Sequence, residues 1–185
     1  MSVAPGAGPA PEEPAPADTP PAAAADTGAG TAGRDTLPGE PEWMSVDEAQ
    51  KTVRFDVVAG KDATNSAWNF NGYANGDMTI TVPQGWTVVM TFSNRDGDVP
   101  HSVFFLEQGP PFPTVMPDRP DIPRAYSINL QNGIGAGQTD TLRFPVNDAG
   151  EYTMPCGVPG HAMAGMWDHF VVSADAQRPS VTFVS

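Results

Sequence analysis

The stretch from Met154 to Trp167 constrains this chain more than any other. It reads Met-Pro-Cys-Gly-Val-Pro-Gly-His-Ala-Met-Ala-Gly-Met-Trp, and it holds the only cysteine, one of three histidines and three of eight methionines. Cys156, His161 and Met166 follow the spacing Cys-x4-His-x4-Met. Small or turn-forming residues fill most of the gaps: Gly157, Pro159, Gly160, Ala162, Ala164 and Gly165. A thiolate, an imidazole and a thioether on one tight loop make a soft three-point claw. One more imidazole would complete a trigonal His2Cys site with a long axial methionine, the ligand set of a mononuclear blue-copper electron-transfer centre.

Blander readings compete. A lone buried cysteine often serves as a small hydrophobe, but that role asks for neither a histidine nor a methionine at these offsets. Structural zinc takes several Cys or His ligands, and methionine is not among them. A nucleophilic Cys-His pair needs only two of the residues and leaves Met166 and the glycines without a role.

The fourth ligand must be His101 or His169. His169 sits three positions past Met166, where the chain runs away from the loop. His101 follows a turn, Asn94-Arg95-Asp96-Gly97-Asp98-Val99-Pro100, and opens the apolar run His101 to Leu106. In a sandwich, turns from distant segments meet at one end, so His101 is the better candidate. Met163 competes with Met166 for the axial position. Met166 is preferred because five residues, Gly165 among them, give the chain room to turn back after His161. Met163 then becomes contact surface.

The rest of the chain reads as short strands. Alternating or apolar runs lie at 52–58, 77–82, 86–93, 101–106, 138–146, 151–154, 167–173 and 181–184, with turn signals such as Pro83-Gln84-Gly85 between them. Glycine and proline together supply 40 residues (19 + 21). This pattern predicts an all-β sandwich or barrel. Ser45-Val46-Asp47-Glu48 has the form of a capping box and predicts a short helix near 45–50. The Asn-rich stretch Ala63 to Gly76 is expected to be an ordered connection anchored by its aromatics. Glu107 to Ala125 carries six prolines, which place it outside any central strand. It is expected to wrap the flank near the metal end.

Residues 1–40 are low-complexity Ala, Pro, Gly and acidic sequence, and 41–185 form the domain. The first segment cannot bury enough apolar surface to fold. It is expected to be a disordered tether. No basic start followed by an apolar stretch marks a signal peptide; a chain that begins after a removed N-terminal anchor would look the same, and the segment reads either as a leash between a membrane anchor and the domain or as a dispensable linker. The net charge is −13, from 22 acidic and 9 basic residues. That balance excludes nucleic-acid binding by phosphate neutralisation; it either steers a basic protein partner to the chain or serves solubility and solvent adaptation alone.

These residues resemble the cupredoxins, and within them the sulfocyanins. The resemblance spans about 43–173. It rests on Phe70-Asn71-Gly72-Tyr73, Met78-Thr79-Ile80, Pro83-Gln84-Gly85-Trp86, Pro100-His101-Ser102 and, above all, Cys156-Gly157-Val158-Pro159-Gly160-His161 through Met166-Trp167. Rusticyanin shares the loop spacing. The resemblance implies a Greek-key β-sandwich of about eight strands, one Cu(I)/Cu(II) ion and one-electron transfer in a respiratory chain. It implies a monomer outside the cytoplasmic membrane, in the periplasm or on the outer face. A terminal oxidase or a cytochrome is the implied partner. His161 is expected at the solvent edge as the electron port, ringed by Val158, Pro159, Ala162, Met163 and Ala164. Multicopper oxidases and two-domain nitrite reductases need many more histidines, so an enzyme is not expected. An extracytoplasmic copper-delivery protein is the alternative.

Overall fold

A computed structural model describes Met1 and residues 40–184. The expected tether over 1–40 lies almost wholly outside the described residues. Eight strands are present among the latter: β1 (Met44–Asp47), β2 (Thr52–Ala59), β3 (Met78–Pro83), β4 (Trp86–Asn94), β5 (Thr139–Val146), β6 (Gly150–Pro155), β7 (Trp167–Ser173) and β8 (Ser180–Phe183). They form two four-stranded sheets, ordered β1-β2-β4-β5 and β6-β7-β3-β8. β2 and β4 pair in parallel, as do β3 and β7. The chain therefore crosses between sheets repeatedly, as a Greek-key sandwich requires.

Period-two burial builds the core. Val53, Phe55, Val57 and Ala59 point inward from β2. Val88, Met90 and Phe92 do so from β4, and Leu142, Phe144 and Val146 from β5. The second sheet answers with Met78, Ile80, Val82, Phe170 and Val172. Because the side-chain period is two, a slip of one residue would turn these sets out to solvent.

Two expected elements differ. The Ser45-x-x-Glu48 quartet does not start a helix; Met44–Asp47 is strand β1, paired antiparallel with β2. Met44 and Val46 alternate inward at 1% and 3% exposure, and burying them on β2 outweighs a local capping option. The turn follows instead, with the Gln50 N–H donating to Asp47 Oδ1 at 3.0 Å. The run 101–106 is not a regular strand either. It pairs through isolated bridges, His101 with Ile134, Phe104 with Tyr126 and Leu106 with Thr153. Phe105 lies between the sheets, with its ring 5.1 Å from Phe144 and 4.7 Å from Phe170.

Strand directions give the sandwich two poles. β2, β4 and β6 end at one pole and β3, β5 and β7 begin there, so the loops 60–77, 95–138 and 156–166 gather at that end. The opposite pole holds the short turns. There Arg178 joins the start of the domain to its end, with Nε 3.1 Å from Glu40 Oε1 and a second ion pair to Glu48.

Both irregular connections behave as the sequence suggested. Asn71 completes the end of β2: its Oδ1 accepts from Val58 N–H at 2.7 Å and its Nδ2 donates to Asp56 O at 3.1 Å. Asn69, fully buried, bonds Lys61, Asp62, Thr64 and Gly72. In the Pro-rich segment, Phe112 and Met116 are buried with Phe104, Leu106, Leu130 and Ala162 in a satellite cluster. Gly160 N–H donates to Thr114 O at 2.8 Å, which fastens this segment to the cysteine loop.

Candidate metal centre

Cys156 follows the last residue of β6, and Met166 precedes the first of β7. The loop between them closes on itself. Cys156 N–H donates to Met166 O at 3.0 Å, and Met166 N–H donates to His161 O at 3.0 Å. Gly165 has φ 99°, and a Cβ there would run into Asn75 Oδ1. Asn75 N–H bonds Gly165 O at 2.8 Å, so the loop 60–77 braces the ligand loop from one side. The Pro-rich segment braces it through Thr114.

His101 arrives from the turn after β4. Its backbone exchanges two hydrogen bonds with Ile134, at 3.2 and 2.7 Å, and its side chain is fully buried. His101, Cys156 and His161 place their ligand atoms within 4.8 Å of one another. His161 Nδ1 lies 3.5 Å from Cys156 Sγ. His101 Nε2 lies 3.1 Å from Asp96 Oδ2, while His101 Nδ1 is buried with no hydrogen-bond partner among the described residues. A buried ring nitrogen is rarely left unpaired, and a metal ion is the partner that fits it. Met166 is fully buried, whereas Met163 is 59% exposed, with its Sδ accepting from Thr114 Oγ1 at 3.9 Å. His169 is exposed on β7 and takes no part.

The electrostatics suit a bound cation. Burial pushes the Cys156 thiol up to about 11, against the pull of Ser102 and Val158 N–H groups. Ser102 N–H donates to Sγ at 3.4 Å, and Ser102 Oγ donates to Leu130 O while accepting from Gly157 N–H at 2.9 Å. Burial drives His161 down to about 4, helped by the nearby His101. Burial also lowers His101, against the Asp96 carboxylate. Burial works to raise Asp96, but hydrogen bonds from Asp98 N–H, the His101 ring and Val99 N–H hold it below its usual value. Two neutral rings and a thiol thus face one another in a water-poor space. A metal that takes them must expel the thiol proton, and a thiolate with two imidazoles suits copper.

The port expected at His161 is covered. His161 is 5% exposed, and the half-buried Trp68 indole stacks on it with centroids 4.3 Å apart and planes at 20°. Asn65 Nδ2 holds Trp68 O at 2.9 Å and Ala164 O at 3.1 Å, tying that cover to the loop. Ala162, expected on the rim, is buried at 2%. Pro159, Met163 and Ala164 are exposed as expected, and Val158 is half-buried. Neither Trp68 nor Asp96 was singled out from sequence. Asp96 had a signal, since an Asp two and three residues before backbone donors forms an Asx turn. Nearby on β7, the fully buried Asp168 accepts Met78 N–H on Oδ1 at 3.0 Å and leaves Oδ2 without a hydrogen-bond partner among the described residues. Burial raises it to about 8.

The sulfocyanin (SoxE) domain family matches residues 41–183. The chain belongs to the sulfocyanin family. It is 32% identical over 137 residues to sulfocyanin of Sulfolobus acidocaldarius, covering 71% of this chain and 68% of that protein. It is 33% identical over 105 residues to rusticyanin of Acidithiobacillus ferrooxidans, covering 56% of this chain and about half (54%) of that relative's length. Among solved structures, reduced rusticyanin is 25% identical with a TM-score of 0.48, over 66% of this chain and 85% of that one. Dithionite-reduced auracyanin of Roseiflexus castenholzii is 20% identical with a TM-score of 0.49, over 66% and 97%. Sulfocyanins are cupredoxins, and this sulfocyanin-family chain carries a cupredoxin's His-Cys-His cluster at the loop-rich pole of its sandwich.

Proposed function

We propose that the protein carries single electrons through one type 1 copper ion that His101, Cys156, His161 and Met166 would hold. The convergence of the buried thiol with two ring nitrogens, one of them unpaired, carries this reading. Bound copper supplies the Cu(I)/Cu(II) couple and its thiolate-to-metal absorption. The chain supplies the rest. Cys156 gives up its proton on binding, and the strand ends on either side of the loop keep the donors in place. Phe104, Leu130 and Met116 pack beside the loop and help exclude water. Little rearrangement is then needed when the charge at the site changes by one.

Trp68 lies between His161 and solvent, so the electron's path to a partner runs through the stacked pair or along the exposed loop residues Pro159 and Met163. The partner is a redox protein, a terminal oxidase or a cytochrome, outside the cytoplasmic membrane, with the carrier held there by a tether ahead of residue 41. The acidic charge of the chain supports a partner with a basic docking face. Copper delivery asks for ready exchange, which a thiol at 0% exposure does not favour.

The copper-loaded protein is expected to absorb strongly in the visible and to bleach reversibly with ascorbate. Cys156→Ser abolishes the band; a variant that stays blue removes Cys156 from the site. Met166→Gln shifts the reduction potential with copper retained, and Met163→Gln does not.

A further inference from the structure

Among the described residues, His101 is the ligand candidate whose far nitrogen meets a charged group. Asp96 Oδ2 lies 3.1 Å from His101 Nε2, and the Asp96 side chain is only 10% exposed. The carboxylate is held from three sides. Its Oδ1 accepts Asp98 N–H at 3.0 Å and Val99 N–H at 3.2 Å, and Asp96 N–H itself donates to Asn94 Oδ1 at 2.8 Å. Gly60 packs so close that a Cβ there would sit 2.7 Å from Asp96 Cβ. Asn94 is pinned in turn by donating to Val99 O and Ile134 O. Nothing in this arrangement lets the carboxylate swing away from the ring.

We propose that Asp96 is a positioning residue for the metal: it accepts the Nε2 proton of His101, so that the Nδ1 lone pair faces the thiol and is a stronger donor than a ring with a neutral partner. This rests on the copper reading above. A ligand imidazole backed by a carboxylate is fixed in tautomer and orientation and gains basicity. The added negative charge favours the more highly charged Cu(II) over Cu(I). Asp96 therefore holds the reduction potential down, against the desolvation that burial imposes on the site.

Asp96→Asn tests this without dismantling the turn. The single amide oxygen can accept from Asp98 and Val99 N–H or from His101, not from all three. With the oxygen kept by the two backbone donors, the amide NH2 faces Nε2 and drives the ring proton to Nδ1. In the metal-free variant, 15N NMR is expected to show His101 protonated on Nδ1, where the parent is protonated on Nε2. Cu(II) affinity then falls roughly 10–100-fold. If Cu(I) affinity is unchanged, each tenfold loss raises the potential by about 59 mV. An unmoved tautomer, or a variant whose Cu(II) affinity and potential match the parent's, overturns the proposal. The NMR measurement uses metal-free protein, so it stands apart from the colour test of the copper reading. Should Asp96→Asn fail to fold, Asp96→Glu keeps the charge on a longer arm and is expected to retain the Nε2 tautomer; loss of that tautomer in Asp96→Glu likewise overturns it.

Discussion

His101 and His161 present the same chemical group to the same site, yet the fold secures them by different physics. His101 sits in a frame of directional bonds: two backbone bonds to Ile134 and a carboxylate behind the ring. His161 rests on the turn of its own loop and beneath the face of an indole. Hydrogen bonds of that kind fix a tautomer and an angle. A stacked ring fixes a plane and excludes water, but it leaves the ring free to adjust within that plane. The interior ligand is therefore built for fixed geometry and the outer one for shielding close to the surface.

Truncating each ring gives the largest separation between the two. His101→Ala leaves Asp96 Oδ2 without its ring partner, while Oδ1 keeps its two backbone donors, and is expected to cost the metal-free protein about 3 kcal/mol. His161→Ala loses mainly the stack, about 1 kcal/mol. Urea unfolding of both variants decides the matter, and equal losses would erase the distinction.

Acidity comes next, with its sign set by which state holds more protons. Above pH 6.5 both rings are neutral whether the chain is folded or not. Between 6.5 and about 4, unfolded chains take up protons that folded His161 refuses, and lowered His101 behaves alike, so stability falls as pH falls. Asp168 runs the other way. Folded, it keeps its proton up to about 8 against 3.8 unfolded, so stability falls as pH rises between those values. Two rings outweigh one carboxyl on the acid side. The metal-free protein is thus expected to be most stable near pH 6.5, to lose about 1.4 kcal/mol per pH unit above it through Asp168, and to lose stability below it by the excess of the two rings over that carboxyl. Urea midpoints from pH 5 to 8 check the shape. Asp168→Asn removes the alkaline limb and steepens the acid one.

The smallest effect isolates the cover. Trp68→Ala opens His161 to water, and its titration midpoint in the metal-free protein moves up toward 6.5 while that of His101 stays put. NMR of the ring protons reads both at once. Movement of both midpoints together would mean that the two rings are not held independently.

Much of this site is legible in sequence because it is local. Cys156, His161 and Met166 lie on one loop, and their spacing speaks without any tertiary knowledge. His101 follows from scarcity, since a chain with three histidines offers few choices. Asp96 and Trp68 do not emerge that way. Each touches a ligand through a loop whose path is set by Asn69, Asn71 and Asn94 hydrogen bonds rather than by any periodic pattern. The strands were readable where burial alternates, as in β2, β4 and β7. At β1 a four-residue cap signal competed with a two-residue hydrophobic alternation, and cross-strand burial won. At 101–106 the apolar run reflects burial between the sheets, where Phe105 fills the space between Phe144 and Phe170 without joining a ladder.

The Arg178 clamp has a practical consequence. It grips Glu40 and Glu48 at the pole away from Cys156. A pull applied to the chain ahead of Glu40 meets that guanidinium and β1 before it meets the loop that carries the thiol.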